Sequence, residues 1–531
     1  SDVCSSDLEI VEAIYGKSII DNNAEQLIKT FIYKMKYKNA IEDYAFEDKL
    51  KELESEIEKA KIPAKAIMHS MVAEMYWMYY QSNRWKFYNR TATIGVDNDD
   101  ITTWDLSRLA NKIIKHHKDA LLSKDTLQRI AVENIDELVS KGTLDKELRP
   151  TLYDFLAFRA LDFFSNTELT LTKPAETFEI RDASFFGDAS EFISIKLESP
   201  DSLALDFYAA QTIQELLRFR LSDNNLPALI DAELYRFKFV LKNSVNDLKD
   251  SLYLNGLIKL SEKYKTVPYS AEISYLIAQH YNQRSSKYNP IDETTFQFKW
   301  DRKKAHEICD DIIKTNKYEL TAKKCTVLNW EIEKPDLRFT VENNILPDQN
   351  FCLKINFKNQ QNAFIRISSI DKEVYKKYTE KYYGKDLIAK LLKEGNVVHL
   401  KSLQLPDDKD YMEHSLEYIA EKLPIGMYIV MVSDNEKFDV DKKIVSYSSL
   451  TITNISYIQR RHDDGKFNVQ VLHRKYGSPL AGVTVTEWYS DYNYKSQKYE
   501  TNKGNEYITD KDGSITIPSN KNSYRNFSLT F

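Results

Sequence analysis

Three groups of residues in this chain have the types from which chemistry is made, and their spacing limits what each can do. The first is the adjacent pair His116–His117 in DITTWDLSRLANKIIKHHKDALL. Neighbouring residues on a helix point roughly 100° apart, so the two rings cannot ligate one ion from a single face. Lys112, Lys115 and Lys118 stand close by and repel a cation, so the pair is predicted to lie on a solvated basic face. The second group is GVDNDDITTWD, which has the acid density of a calcium loop but lacks the glycine and closing glutamate of an EF-hand. Asp99 and Asp100 are read instead as helix N-terminal charges, with the cap near Asp100 or Thr102. The third is the aromatic run MYWMYYQSNRWKFYNR, in which Trp77 and Trp85 with Arg84 and Arg90 could bind sugar or peptide. At helical spacing the same residues serve as core, with the arginines stacked on rings at its edge.

Other arrangements fail on spacing. HEIC at 306–309 has no second histidine four residues on, so it is not a zinc-protease helix. The chain contains no GxSxG, P-loop or GxGxxG. Cysteines at 4, 309, 325 and 352 form no CxxC and no zinc spacing with histidine. Cys309 and Cys325 fall in helical patterns, where a free cysteine is a small buried apolar residue. The expectation is a chain with no catalytic, cofactor-binding or metal-ligating residues: not an enzyme, and without a cofactor.

The totals agree with a multidomain globular protein. At 531 residues the chain exceeds one hydrophobic core, and 12% aromatic residues can fill several. A net charge of −6, with both signs interspersed, offers no basic stripe for nucleic acid. No run reaches the length of about 18 apolar residues that a transmembrane helix needs. The opening residues 1–8 read as the translation of a sequencing adapter, and the expectation is an assembly artefact with the true N-terminus lost.

Glycine divides the remainder. Residues 1–335 hold five glycines and the following 196 hold eight, a shift from long helices to short strands and tight turns. Residues 9–334 read as helix after helix. Leu27, Phe31, Ile32 and Met35 mark one apolar face, and Ile67, Met71, Met75 and Met78 another. Residues 271–313 resemble one degenerate tetratricopeptide unit, with Ile277, Ala278 and Tyr281 in its first helix and Ala305, Cys309 and Ile312 in its second. The region is therefore predicted to be an irregular α-solenoid of helix pairs, interrupted by a non-helical excursion over about 167–200 that carries Pro174. From Pro335 the period changes to two: LRFTVEN, FCLKINF, AFIRISSI, LPIGMYIVMVSD and KIVSYSSLTIT read as strands. They suffice for one antiparallel sandwich over 335–455, interrupted by VYKKYTEKYYGKDLIAKLLKEG with a short helix. A second sandwich begins at 456 and is incomplete at 531.

That second module carries GSPLAGVTV followed by YITDKDGSITI. Gly477 and Pro479 make a corner, Gly482 turns the chain into VTVTEW, and Thr509–Gly513 forms a hairpin whose aspartates cap their own backbone. The pattern resembles macroglobulin sandwich domains. With WKFYNRTAT, TTWDLSRL, LRPTLYDFLAFRALDFF, LPIGMYIVMVSDN and ISYIQRR, nearly the whole chain after residue 8 looks like the start of a large bacterial α2-macroglobulin-like protein. The resemblance implies a first macroglobulin domain at 335–455 and the beginning of a second, of MG2 type, at 456–531. It implies an extracytoplasmic protein (periplasm, outer membrane or cell surface) whose partners are proteases and whose role is endopeptidase inhibition. The cysteine contexts CSSD, CDDI, CTVL and CLKI do not match the family's Cys-x-Glu-Gln thioester motif. Bait segment and any thioester domain would then lie outside this fragment, which supplies scaffold. The alternative expectation is a non-enzymatic surface adhesion module, with a helical-repeat groove and sandwich spacers.

Overall fold

Leu27, Ile28 and Phe31 recur at the helical period, and all three are buried. They belong to α2 (Ala24–Ile41), which follows α1 (Asp2–Ile20) and precedes α3 (Phe46–Lys59) and α4 (Ala64–Phe87). The computed structural model describes residues 2–41, 45–87, 100–139, 142, 145–166, 168, 178–441, 443–463, 465–493, 497–518 and 527–531. The chain divides into two compact units: residues 1–284 with 304–327, and residues 285–303 with 328–531.

In the first unit the helices continue with α5 (Leu106–Leu121), the short α6 (Lys124–Leu127), α7 (Leu152–Phe164) and the short α8 (Ala189–Ser194). There follow α9 (Leu205–Ser222), α10 (Leu226–Asn243), α11 (Lys249–Lys263) and α12 (Ala271–Arg284). Helices α13 (Asp301–Thr315) and α14 (Glu319–Glu333) follow, of which residues 304–327 belong to this unit and 301–303 and 328–333 to the second. Sequence neighbours pack as pairs, α1 with α2, α4 with α5, α9 with α10 and α11 with α12. The buried faces differ in detail from the expected ones. Ile32 and Met78 are exposed, and α4 buries Met68, Val72, Tyr76 and Tyr80 instead. Helix α5 is capped by Asp105, which accepts from Arg108 N, whereas Asp100 caps a single 3-10 turn at Ile101–Thr103. Within 167–200 the described residues include two helical segments, α8 and a 3-10 turn at Ala183–Phe186, started by Asp188 and Asp182; Pro174 lies outside the described residues.

Two buried arginines tie this unit together. Arg236, with no exposed surface, pairs with Glu233 at 2.6 Å and donates to the carbonyls of Phe185 and Gly187. It thereby pins the 183–187 segment onto α10. Arg220 on α9 forms a two-pronged pair with Asp154 on α7, its Nε standing 3.1 Å from Oδ1. Asp154 also closes a capping box with Thr151 at the start of α7. Arg220 Nη1 also pairs with the partly exposed Asp223, so removing Asp154 leaves the buried guanidinium with one carboxylate instead of two. Asp154→Ala is therefore expected to destabilise the helical unit by up to about 3 kcal/mol, through the lost pair and the lost cap. The double variant Asp154→Leu/Arg220→Met should recover most of that loss, both measured by urea unfolding.

The second unit is built on alternation. Strand β1 (Asp336–Val341), the short β2 (Asn344–Ile345), β3 (Phe351–Lys358) and β4 (Asn362–Ser369) lead to helices α15 (Lys372–Lys381) and α16 (Gly384–Glu394). The Lys-rich insertion thus holds two helices where one short helix was expected. Next come β5 (Asn396–Gln404), β6 (His414–Ala420), β7 (Gly426–Ser433) and β8 (Val445–Ile452). They form a three-stranded sheet β1-β3-β6 and a five-stranded sheet β2-β8-β7-β4-β5. Pairing is antiparallel except for β2 with β8, which is parallel. Leu353, Ile355 and Phe357 from one sheet meet Ala363, Ile365, Ile367, Val430 and Val432 from the other in a common core. A one-residue slip of β3 would turn that set outward.

The closing module comprises β9 (Ile455–Arg461), β10 (Phe467–His473), β11 (Thr484–Asn493), β12 (Lys498–Ile508), β13 (Ser514–Ile517) and β14 (Phe527–Thr530). The sheets are β13-β10-β9 and β12-β11-β14, around a small core of Val469, Val471, Val485, Ile515 and Ile517. Arg474 reaches the carbonyl of Asn344, and Lys376 sits over the Trp488 ring, so this module adjoins the first one within the same unit.

Gly513 has φ +69°, and a Cβ there would lie 2.4 Å from the Val471 carbonyl. Gly482 has φ +72° with open space around it. Gly513→Ala is expected to cost at least about 2 kcal/mol, through left-handed strain plus the clash. Gly482→Ala, with strain alone, should cost about 1 kcal/mol. Hydrogen exchange of the β10 and β13 amides measures the difference.

Candidate functional site

The histidine pair is buried, contrary to the solvated face expected from its lysines: His116 and His117 are 6% and 2% exposed. The two rings do point to different sides of α5, but both sides are covered. His116 faces α4, where its Nδ1 lies 3.0 Å from Nδ1 of His69. His117 faces α7, stacking on Phe163 with its Nδ1 buried and unpartnered. Sequence offered the 100° divergence of the rings but no signal for the helices that cover them.

The contacts assign the tautomers. His116 Nε2 stands 3.4 Å from Glu54 Oε1, which also accepts from Tyr76 Oη at 3.0 Å. A carboxylate selects the Nε2–H form of His116, leaving its Nδ1 to accept from Nδ1–H of His69. The hydrogen bond from His116 holds the Glu54 carboxyl at about 2. Burial, then the neighbouring His116, brings His69 down to about 4; burial also brings His117 to about 3. The chain Glu54–His116–His69 orients polar groups within a helical core.

These values fix an acid response. Between the ordinary histidine value of 6.5 and the depressed folded values, the unfolded chain binds protons that the folded chain does not. The stabilisation is complete above about pH 6.5 and is lost as pH falls toward about 4 and below. Glu54 adds a loss in the same direction below its ordinary 4.5. The melting temperature of the helical unit is expected to fall steadily from about pH 6.5 to about pH 4, and His117→Phe should flatten part of that slope.

The aromatic run resolves into core and surface. Tyr76, Trp77, Tyr79, Tyr80 and Phe87 are buried, with Trp77 edge-on to Phe163. Trp85 is 71% exposed, so Trp77 and Trp85 share no continuous surface. Arg84 pairs with Glu168 at 2.9 Å rather than being left to a ring; Arg90 and Asp99 lie outside the described residues. Cys309 and Cys325 are buried and face one another, a contact that pushes the Cys309 thiol up. Cys352 is exposed on β3.

The quoted motif of the closing module folds into a pinned corner. Thr509 Oγ1 donates to the Leu480 carbonyl at 2.6 Å and accepts from Val483 N at 2.9 Å. Asp510 Oδ1 accepts from the amides of Asp512 and Ser514, closing the turn that Gly513 permits. Thr509 is 4% exposed, so its hydroxyl serves the backbone of the corner. The same unit displays apolar surface on β5, where Val397, Val398 and Leu400 are about half exposed or more. Ile419 of β6 is likewise exposed, and His399 of β5 bonds to Tyr418 Oη of β6 at 2.9 Å.

A helical N-terminal region followed by antiparallel and mixed β-sheet modules is the class this fold defines. No protein-family model matches the chain, and no curated protein matches it. Among solved structures it is similar to native alpha-2-macroglobulin from Escherichia coli spanning domains MG0-NIE-MG1, at 12% identity over 37% of this chain and TM-score 0.26. It is similar also to Salmonella alpha-2-macroglobulin reacted with methylamine, at 10% identity over 37% of this chain and TM-score 0.17. The matches span 64% and 15% of those chains. Pseudomonas fluorescens alkylpurine DNA glycosylase AlkC, bound to DNA containing an abasic site analog, aligns over 89% of this chain and 92% of its own. There the identity is 11% and the TM-score 0.13. At these scores the likenesses transfer no residue role to this chain. No helix among the described residues is long and apolar enough to cross a membrane.

Proposed function

We propose that these residues are the scaffold part of an α2-macroglobulin-like endopeptidase inhibitor that works outside the cytoplasm. In this reading the chain is not an enzyme. Its β modules hold a cleavable bait elsewhere in the inhibitor, and cleavage releases a change of shape that encloses the protease. The observation that carries the reading is the corner of the closing module, where Thr509, Asp510 and Gly513 make the turn that the macroglobulin-like motif implies. In this reading the bait lies elsewhere in the inhibitor, and so does any thioester domain, since none of the cysteine contexts here matches Cys-x-Glu-Gln.

A second reading, an adhesion or interaction module, is favoured by a different observation, the apolar side chains displayed on the edge strand β5. One assay separates them. The 531-residue chain is mixed with a general endopeptidase, and hydrolysis of a protein substrate and of a short peptide is followed. The scaffold reading expects both rates to match the control. Loss of protein hydrolysis with peptide hydrolysis spared would put the bait within these residues and refute the allocation. Stable capture of the protease by the uncleaved chain would favour the interaction reading.

A further inference from the structure

The loop joining β5 to β6 runs through LPDDKDYMEH, and two of its non-glycine residues, Lys409 and Tyr411, have φ of +53° and +60°. Its turns bring Asp408, Asp410 and His414 together, one ligand-capable atom from each lying within 4.8 Å of the others. Asp410 is 1% exposed. Its Oδ1 accepts from Met412 N and faces His414 Nε2, both at 2.9 Å, while its Oδ2 is buried without a hydrogen-bond partner. An unpaired carboxylate oxygen in the interior is costly, and proteins place a donor, a water or a cation against it.

We propose that Asp408, Asp410 and His414 form a binding site for a borderline divalent cation of the zinc type. Two carboxylate oxygens and one imidazole nitrogen are a donor set suited to zinc or cobalt rather than to calcium, which takes oxygen alone. Ligands on a tetrahedral ion at bonds of about 2.0–2.1 Å lie about 3.3 Å apart, so with Asp410 Oδ1 as ligand its spacing from His414 Nε2 needs only a few tenths of an ångström of opening, and the ion's charge then also serves the unpartnered Oδ2 of the same carboxylate. Asp408, the exposed member, swings in as the third ligand, and the fourth position is left to water. The neighbouring carboxylates are otherwise engaged: Asp407 by the Lys409 amide, and Glu413 by Arg338 at 2.6 Å.

Two cations oppose the ion and set its affinity. Lys299 Nζ stands 3.5 Å from Asp408 Oδ2, on a side chain 31% exposed that can turn away. Arg302 is held by the Tyr411 carbonyl at 3.0 Å, and its charge acts on Asp410 and Glu413. Binding is therefore a competition in which the metal displaces Lys299 from Asp408 and takes the place of the Asp410–His414 contact. The bound ion would staple the β5–β6 connection, which joins an edge strand of one sheet to an edge strand of the other.

The test uses the chelator-stripped, untagged 531-residue chain, titrated with Zn²⁺ by calorimetry and with Co²⁺ by visible absorption. One ion per chain with a tetrahedral Co²⁺ band is expected. His414→Ala and Asp410→Asn should weaken that uptake at least about ten-fold. Lys299→Ala, which removes the competitor, should tighten it. Asp410 also caps the loop, so if Asp410→Asn fails to fold, the half-buried His414 decides the matter. No uptake by the wild-type chain, or uptake unchanged in His414→Ala, overturns the proposal.

Discussion

A charge removed from water must be met by an opposite charge or a dipole, and this constraint shapes both units of the protein. In the helical unit Arg220 and Arg236 have almost no exposed surface. Each is met from another part of the chain: Arg220 by the carboxylate that also starts α7, Arg236 by carbonyls of the 183–187 segment as well as Glu233. These pairs cost desolvation, so replacement by apolar residues could match their stability. What they add is position, because a guanidinium accepts few geometries and the segments bonded to it must conform. The Glu54–His116–His69 chain obeys the same rule through contacts between its side chains. Asp410 in the β unit obeys it on one oxygen only, as Glu233 does in the helical unit, and Arg302 leaves its Nε unpartnered.

The β modules depend on period two and on a few backbone corners. Alternation in FCLKINF and AFIRISSI was readable, and the buried residues of β3 and β4 are the ones it selects. The DKDG turn was readable too, because the chemistry of Asp and Gly in a hairpin is local. Helical faces were legible to within a residue or so: Phe31 is core, but its neighbour Ile32 is exposed.

What sequence hid was tertiary cover. His116 and His117 sit among lysines, which argues for solvent; the lysines occupy the remaining arc of α5 while α4 and α7 close over the rings. Nothing in LPDDKDYMEH announces that Asp410 is interior, since acidic loops are ordinarily solvated, and the contact from Arg302 comes from more than 100 residues away. The parallel pairing of β2 with β8 was hidden for a similar reason, being a two-residue contact far from any turn. Local chemistry was readable; which local surfaces meet was not.

The functional account rests on the β modules being rigid carriers rather than the cleaved or catalytic parts. Small-angle scattering on the full product of the gene that encodes these residues, before and after one endopeptidase cut, tests it most directly, with mass spectrometry to map the cut. The account predicts a marked fall in radius of gyration with residues 336–517 uncut. An unchanged radius, or a primary cut inside those residues, would contradict it.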